Sequence, residues 1–139
     1  MTTAKDIMHP GARWIPATET LDRAAQLMRE LDVGALPVSD AEQRLCGIVT
    51  DRDIVVKCVA AGHDPSAVTC GDLCEGTPRW IDAAADVSEV LDEMEDRQIR
   101  RLPVIEDKQL VGMISEADLA RRLSGDQIAR FVGRVYAHH

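Results

Sequence analysis

The feature that most constrains this chain is a long stretch of sequence that occurs twice. In each copy, a Leu-Pro-Val strand is followed by a short polar loop, a second strand around a glycine, and a helix. The two copies span residues 34–57 and 100–122. The proline recurs after 66 residues, from Pro37 to Pro103, whereas the aspartate that opens the helix recurs after 65, from Asp53 to Asp118. One residue has therefore been lost from the loop, where deletions are tolerated best.

The duplication extends beyond this stretch. Residues 4–8 (AKDIM) match residues 70–74 (CGDLC), and both halves contain apolar residues at i, i+3, i+4 and i+7, which predicts an amphipathic helix. The predicted helices cover residues 20–32 and 86–97, with second helices beginning near Asp51 and Glu116. The predicted strands are 13–16, 35–39 and 45–50 in the first half, and 79–82, 101–105 and 109–115 in the second.

These elements predict an α/β (α+β) fold in which each half runs β-α-β-β-α. A half of roughly 60 residues is marginal alone, so we expect the two halves to pack face to face about a pseudo-twofold axis. The expected divisions are residues 1–63 for the first repeat, 64–123 for the second, and 124–139 for a C-terminal helix and tail. In that helix Ser124 is the expected N-cap, and the apolar side contains Ile128, Phe131, Val132 and Val135.

Composition and charge exclude several classes of function. The chain is 45% hydrophobic and 29% charged, as in folded globular proteins. A net charge of −8 and only four aromatic residues argue against a nucleic-acid interface, which needs a basic face or stacking platforms. No apolar run is long enough to span a membrane, and the opening MTTAKDIMHPG lacks the pattern of a signal peptide. We therefore expect a cytoplasmic protein that does not bind a membrane.

The tandem pattern resembles a known family. A Leu-Pro-Val strand followed by h-x-G-h-h-[ST]-x-x-D, present twice, resembles the CBS (cystathionine-beta-synthase-type) domain, whose pairs are called Bateman modules. A narrower resemblance, to stand-alone two-CBS stress proteins of actinobacteria, rests on MTTAKDIM, TDRDIVVK and AAGHDP. The resemblance implies a tandem CBS pair, a dimer formed through helices, and clefts that often hold adenine nucleotides. It implies no catalysis by the module itself.

The candidate binding residues are the hydroxyl and the aspartate of each repeat. Thr50 with Asp53, and Ser115 with Asp118, match the family positions where the hydroxyl contacts phosphate and the aspartate contacts ribose. A hydroxyl at a helix start suits phosphate because the free N–H groups there favour an anion. The alternative is purely structural, since Ser or Thr followed three residues later by an acid is close to a capping box.

Two arginines complete the candidate site. Arg100 and Arg101 precede the second Leu-Pro-Val strand, at the family position that reaches phosphates from the opposite repeat, and arginine suits phosphate through its planar donors. The alternative is a solvated basic pair near the end of a helix. The first repeat has the uncharged Gly34 and Ala35 there. We therefore expect one stronger nucleotide site, at Thr50 and Asp53, and a second that is weak or empty.

The cysteines and the absence of catalytic motifs in the sequence argue against metal binding and catalysis. Cys70 and Cys74 form only a C-x-x-x-C pattern, which is weak evidence for zinc, so we expect neither zinc nor a disulfide there to serve the function. Cys46 and Cys58 lie in a predicted strand and helix, where inert buried thiols are common. The sequence contains no phosphate loop, H-E-x-x-H or G-x-S-x-G motif, so we expect no enzyme activity.

Three functions are left open by the sequence. The first is a regulatory module that binds AMP, ADP, ATP or S-adenosylmethionine, requires no cofactor, and signals to an unknown protein effector. The second is a stress- or dormancy-related interaction protein without a nucleotide ligand, and the third is a metal or thiol sensor. We also expect a homodimer formed through the helices, because one chain would leave apolar helical faces uncovered. The expected faces contain Leu21, Ala25 and Met28, or Ile54 and Val55.

Overall fold

The computed structural model of the chain describes residues 2–76 and 78–137. These residues form two compact units. The central unit is residues 13–78. The outer unit combines the chain up to Ala12 with the chain from Arg79 onward. The units therefore differ from the predicted repeats, because each repeat contributes its first segment to the other unit.

The central unit is a three-stranded sheet with helical segments. Its strands are β2 (Ile15–Pro16), β3 (Ala35–Ser39) and β4 (Leu45–Thr50), in the order β2-β3-β4. The pair β2 and β3 is parallel, and the pair β3 and β4 is antiparallel. Its helices are α2 (Leu21–Leu31), the short α3 (Asp51–Asp53) that continues as a π-helical segment (Ile54–Val59), and a 3₁₀ turn (Gly71–Leu73). The turn is tied to this unit because Cys70 N donates to Glu19 O at 2.8 Å.

The outer unit repeats this plan with additions at both ends. Its sheet has the order β1-β7-β6-β5, from the strands β1 (His9–Pro10), β5 (Ile81–Asp82), β6 (Arg101–Glu106) and β7 (Gln109–Ser115). Its helices are α1 (Ala4–Ile7), α4 (Val87–Arg97), α5 (Glu116–Arg122) and α6 (Gly125–Val135). The N-terminal segment belongs here because β1 pairs antiparallel with β7, His9 opposite Met113.

The predicted β-α-β-β-α order is confirmed in both units. The two Leu-Pro-Val strands are buried throughout residues 36–38 and 102–104 and lie at the centre of separate hydrophobic cores. The predicted first strands are shorter than expected, two residues in each unit. The second helix of the central unit also differs, since only Asp51–Asp53 is α-helical before the π-helical segment begins.

Side chains cap several of the helices. Ser124 caps α6 by accepting from Gln127 N, as expected. Asp86 caps α4 by accepting from Ser88 N at 3.0 Å. Thr20 makes no side-chain cap bond to α2, since its hydroxyl donates to the carboxylate of Asp22.

The C-terminal helix packs on α4 through an apolar and an ionic contact. Phe131 and Val135 are buried in the core of the outer unit, whereas Val132, on the same apolar side of the helix, is 47% exposed. Beside the apolar contact, Glu95 of α4 is buried and accepts from Arg134 Nη1 at 2.8 Å. Because a buried carboxylate is costly without a partner, this ion pair fixes where α6 can lie on α4. None of the described helices has the length and apolarity needed to cross a membrane.

The repeated core gives a matched test of stability. We expect Leu36→Ala and Leu102→Ala each to lower the free energy of unfolding by roughly 2–5 kcal/mol, because both leucines are fully buried and the change leaves a cavity. The exposed Gln109→Ala is the control and should change stability by less than about 0.5 kcal/mol. Urea unfolding followed by circular dichroism measures all three. Similar midpoints for the leucine variants and the control would contradict this description of the cores.

Candidate functional site

The candidate site of the central unit is the joint between β4 and α3. Thr50 ends the strand with extended backbone angles, φ −114° and ψ 160°, and the helix begins at the next residue. Asp53 N donates to Thr50 Oγ1 at 3.0 Å, and Thr50 N donates back to Asp53 Oδ2 at 3.0 Å. This is a reciprocal capping box, so the structural interpretation of the motif is correct here. The Asp53 side chain remains 25% exposed, with Lys57 Nζ 3.6 Å from its other oxygen.

The joint between β7 and α5 in the outer unit has the same box. Ser115 N donates to Asp118 Oδ2 at 2.8 Å, and Asp118 N donates to Ser115 Oγ at 3.4 Å. The Ser115 hydroxyl is also 2.9 Å from Asp118 Oδ2 and donates to it. The Asp118 side chain is only 1% exposed. Its carboxylate is therefore held inside the unit, whereas that of Asp53 still reaches solvent.

Two further side chains contact the carboxylate oxygens of Asp118. The His9 Nδ1 atom lies 2.7 Å from Asp118 Oδ2, carried there by the pairing of β1 with β7. Arg121, one helical turn along α5, donates to Asp118 Oδ1. Both oxygens of Asp118 thus have protein partners, and hydrogen bonds to an ionised group are among the stronger ones in proteins. A ribose could bind there only by displacing them.

The two arginines have different surroundings. Arg101 is the first residue of β6, is half-buried, and lies opposite Ser115 in the strand register. Arg100 is exposed, and its guanidinium stacks 5.7 Å from the ring centroid of Tyr136. Its Nη1 donates to Tyr136 Oη at 3.4 Å, and that hydroxyl donates to Glu116 Oε1 at 2.7 Å. The C-terminal helix therefore holds Arg100, through Tyr136, next to the start of α5.

The predicted residues divide between the two units. Thr50 and Asp53 belong to the central unit, where Ala35 lies opposite Thr50 and Gly34 O accepts from Asp51 N at 3.0 Å. The other predicted residues, Arg100, Arg101, Ser115 and Asp118, belong to the outer unit. Gly34 and Ala35 therefore lie beside the joint of the central unit, and Arg100 and Arg101 lie at the matching place in the outer unit. The alignment of the repeats predicts this correspondence.

Sequence reasoning missed four residues at these joints. Lys57 and Arg121 follow their aspartates by four and three residues, and this helical spacing would have identified both. His9 and Tyr136 carried no such signal, because their contacts depend on long-range packing of β1 and α6.

The described residues offer no metal-binding cluster at these joints, and one surface pocket lies apart from them. Within residues 2–76 and 78–137, no group of three or more His, Cys, Asp or Glu side chains is placed to hold a metal ion. Cys70 is fully buried, and the Cys74 thiol donates to the Cys70 carbonyl at 3.5 Å. A pocket of about 230 Å³ lies instead between β2 and α2, and none of the predicted site residues lines it.

Comparison with known proteins places this architecture in context. The family model described as "CBS domain" matches residues 4–59 and 70–125. The chain is 49% identical to Hypoxic response protein 1 of Mycobacterium tuberculosis over 135 residues, covering 97% of this chain and 94% of that protein. The predicted narrower resemblance to an actinobacterial two-CBS stress protein is thereby confirmed.

Solved structures show the same fold. The crystal structure of Hypoxic Response Protein I with two coordinated zinc ions is 50% identical, with a TM-score of 0.79, covering 88% of this chain and all of that one. A hexameric CBS-CP12 protein from bloom-forming cyanobacteria is 33% identical, with a TM-score of 0.77, covering 88% and 71% of the two chains. The CBSX2 protein in complex with AMP is 25% identical, with a TM-score of 0.69, covering 86% and 93%.

The unequal burial of the two aspartates has a measurable consequence. We expect Asp118→Ala to cost roughly 3 kcal/mol of folding stability, because the change leaves His9, Arg121 and the Ser115 donors without their shared acceptor. Asp53→Ala removes mainly a cap and should cost about 1 kcal/mol. Urea unfolding of the two variants measures the difference. Equal costs would show that the additional partners of Asp118 contribute nothing.

Proposed function

Since this chain belongs to the CBS domain family, we propose that it is a stand-alone regulatory protein that binds an adenosine-type nucleotide and has no catalytic activity of its own. CBS domain proteins are typically regulatory. The observation that carries the proposal is the pair of hydroxyl–aspartate joints, one of which leaves its carboxylate accessible at Asp53. The ligand class follows from the family and from the AMP bound by the related CBSX2 protein.

The ligand set is defined by what its members share. AMP, ADP, ATP and S-adenosylmethionine all contain adenosine, whose two ribose hydroxyls suit a carboxylate acceptor. Asp53 offers such an acceptor, since its Oδ1 takes no part in the capping bond, lies 3.6 Å from Lys57 Nζ, and belongs to a side chain that is 25% exposed. The hydroxyl of Thr50 and the adjoining N–H groups of the joint are suited to an anionic group next to the sugar. The proposal requires no metal ion and no other cofactor.

Two differences between the repeats favour one strong site over two equal ones. The first difference is in charge: the second repeat has Arg100 and Arg101, which the family resemblance assigns to phosphate binding, where the first repeat has the uncharged Gly34 and Ala35. In addition, Asp118 is already bound by His9 and Arg121, so a ligand there must first displace them. Both effects act in the same direction. We therefore propose a stronger site at Thr50 and Asp53 and a weak or empty site at Ser115 and Asp118.

Isothermal titration calorimetry tests this proposal. A thermal-shift screen with AMP, ADP, ATP and S-adenosylmethionine first selects the ligand, because a ligand at 100 times its dissociation constant adds about 2.7 kcal/mol to stability. We expect Asp53→Asn and Arg101→Gln to weaken binding about 10- to 100-fold, as expected for a lost charge-assisted hydrogen bond. The matched control, Asp118→Asn, should leave the strong site unchanged.

Two outcomes would overturn the assignment. If Asp118→Asn abolishes binding while Asp53→Asn and Arg101→Gln leave it intact, the two sites have been ranked in the wrong order. If the unmodified protein binds none of the four ligands, the second candidate function replaces the first. That candidate is an interaction protein of the stress or dormancy response, which keeps the fold without a nucleotide. The identity to a protein named for the hypoxic response favours it.

We further propose that the protein is a homodimer formed through helices. The faces expected from sequence need correction, because Leu21, Met28 and Ile54 are buried within the central unit. The apolar face that remains exposed is on the π-helical segment, which we call the valine face: Val55, Val56 and Val59, exposed by 58%, 47% and 57%. Exposed apolar patches of this kind commonly mark protein interfaces. The hexameric cyanobacterial relative is one example of oligomerisation on this fold.

The valine face can be tested by charge insertion. We expect the double variant Val55→Asp, Val59→Asp to convert a two-chain species into a single chain, because two buried carboxylates cost more than the apolar contact gains. Light scattering coupled to size-exclusion chromatography at micromolar concentration measures the mass. Val132→Asp is the matched control, since that valine is equally exposed on α6. An unmodified protein that is already monomeric, or a double variant that remains dimeric, would rule out this interface.

A further inference from the structure

A bulge in β4 brings one cysteine out of the regular strand pattern. In the pairing of β3 with β4, Val38 lies opposite Gly47 and Ser39 lies opposite Leu45, so Cys46 has no partner residue. An extra residue of this kind bends its strand and redirects side chains away from strict alternation. Cys46 therefore lies beside Gly47 at a point where the sheet does not dictate which face its side chain takes.

Cys74 lies against this same bulge. A β-carbon added to Gly47 would be 2.9 Å from Cys74 Sγ, closer than real contacts allow, so the absence of a side chain at Gly47 makes room for the thiol. Cys46 is also close enough to contribute to the raised pKa of the Cys74 thiol. Two thiols from segments 28 residues apart, β4 and the end of the 3₁₀ turn, thus lie next to each other.

The outer unit has the same bulge without cysteines, so it shows which side chains are sufficient to pack there. Its strand β7 has the same bulge, with Val111 as the extra residue, and Gly112 is covered there by Met8. Met8 and Val111 match Cys74 and Cys46 in the repeat alignment. An apolar pair is therefore sufficient for this fold at this place. The central unit has a pair of thiols instead, which adds a chemistry that packing does not require.

We propose that Cys46 and Cys74 form a redox-active dithiol, which a peroxide oxidises to a disulfide that fixes residues 70–74 to β4. One thiol, as thiolate, attacks the peroxide; an S–O bond forms, the O–O bond breaks, and hydroxide leaves with the lost thiol proton as water. The second sulfur then attacks the sulfenic sulfur, the S–S bond forms, and a second water leaves. Two thiols are oxidised and one hydrogen peroxide is reduced to two waters.

The environment of the pair sets its reactivity. Burial, the contact with Cys46 and the nearby charge of Asp53 raise the pKa of Cys74 to about 12. Burial and Glu19 raise the pKa of Cys70 to about 11. Because the thiolate is the reactive form, oxidation is slow at neutral pH and accelerates as the pH rises. Cys70 is fully buried with its thiol inside the core, so it does not compete for Cys46.

Peptide mapping identifies the bond directly. The full-length protein is treated with hydrogen peroxide, blocked with iodoacetamide and digested with trypsin and Asp-N without reduction. Cleavage at the Asp residues separates the cysteines into different peptides. We expect mass spectrometry to detect the peptide of residues 45–50 joined by the disulfide to the peptide of residues 72–79. The mass of this species should equal the sum of the two peptide masses less two hydrogens. In a second peroxide-treated sample that is not alkylated, we expect dithiothreitol to restore the four free thiols of the chain.

Variants taken from the other repeat provide the controls. Cys46→Val and Cys74→Met insert the residues that occupy these places in the outer unit, so each should fold and each should abolish the cross-link. Cys58→Ala should retain it. Oxidation should also raise the melting temperature of the unmodified protein by about 5 °C or more, since the bond closes a long loop, and should not do so in the two variants. A Cys70–Cys74 cross-link, or four thiols unchanged by peroxide, would overturn the proposal.

Discussion

The reciprocal bond between a hydroxyl at the end of a strand and an aspartate one helical turn later fixes the rest of each unit. At Thr50 and at Ser115, the hydroxyl accepts a hydrogen bond from the first turn of the helix, and the aspartate carboxylate accepts one from the N–H at the end of the strand. The chain therefore turns from strand to helix at one defined residue. The direction of the following helix, and hence the position of its apolar face on the core, depends on that turn. In the proposed nucleotide site, the ligand would contact these same atoms. The bond that directs the helix and the proposed binding of a nucleotide would then use one set of oxygens.

The two units use this joint in different ways. In the outer unit, His9 and Arg121 add to the box until the carboxylate of Asp118 has no exposed oxygen. In the central unit the residue that matches His9 in the repeat alignment is Glu75, an exposed carboxylate that would repel Asp53 instead of binding it. Lys57 Nζ lies 3.6 Å from the second oxygen of Asp53, a distance too long for a strong hydrogen bond. Two differences, Glu75 in place of His9 and Val56 in place of Arg121, thus separate a closed joint from an open one.

The sequence predicted the parts of the fold that depend on local patterns. The strands around Leu36 and Leu102, the helices that follow them and the cap at Ser124 all have short-range signals in composition and spacing. Contacts made by distant segments could not be predicted. The pairing of His9 with Met113 and the bond from Tyr136 to Glu116 each join residues far apart in the chain. Val132 shows the limit of helical spacing, which marks a wider apolar side than the narrow contact with α4 covers.

The exchange of first segments between repeats also determines the order in which the chain can fold as it is synthesised. Every residue of the central unit has left the ribosome once Pro78 emerges, so its sheet can close while the remainder is still being translated. The segment that carries α1 and β1 is made earlier but has no sheet to join until β7 has been made. Its apolar residues Ala4 and Ile7 therefore stay exposed until β7 has been made. A segment that is translated before the central unit thus reaches its native contacts after it.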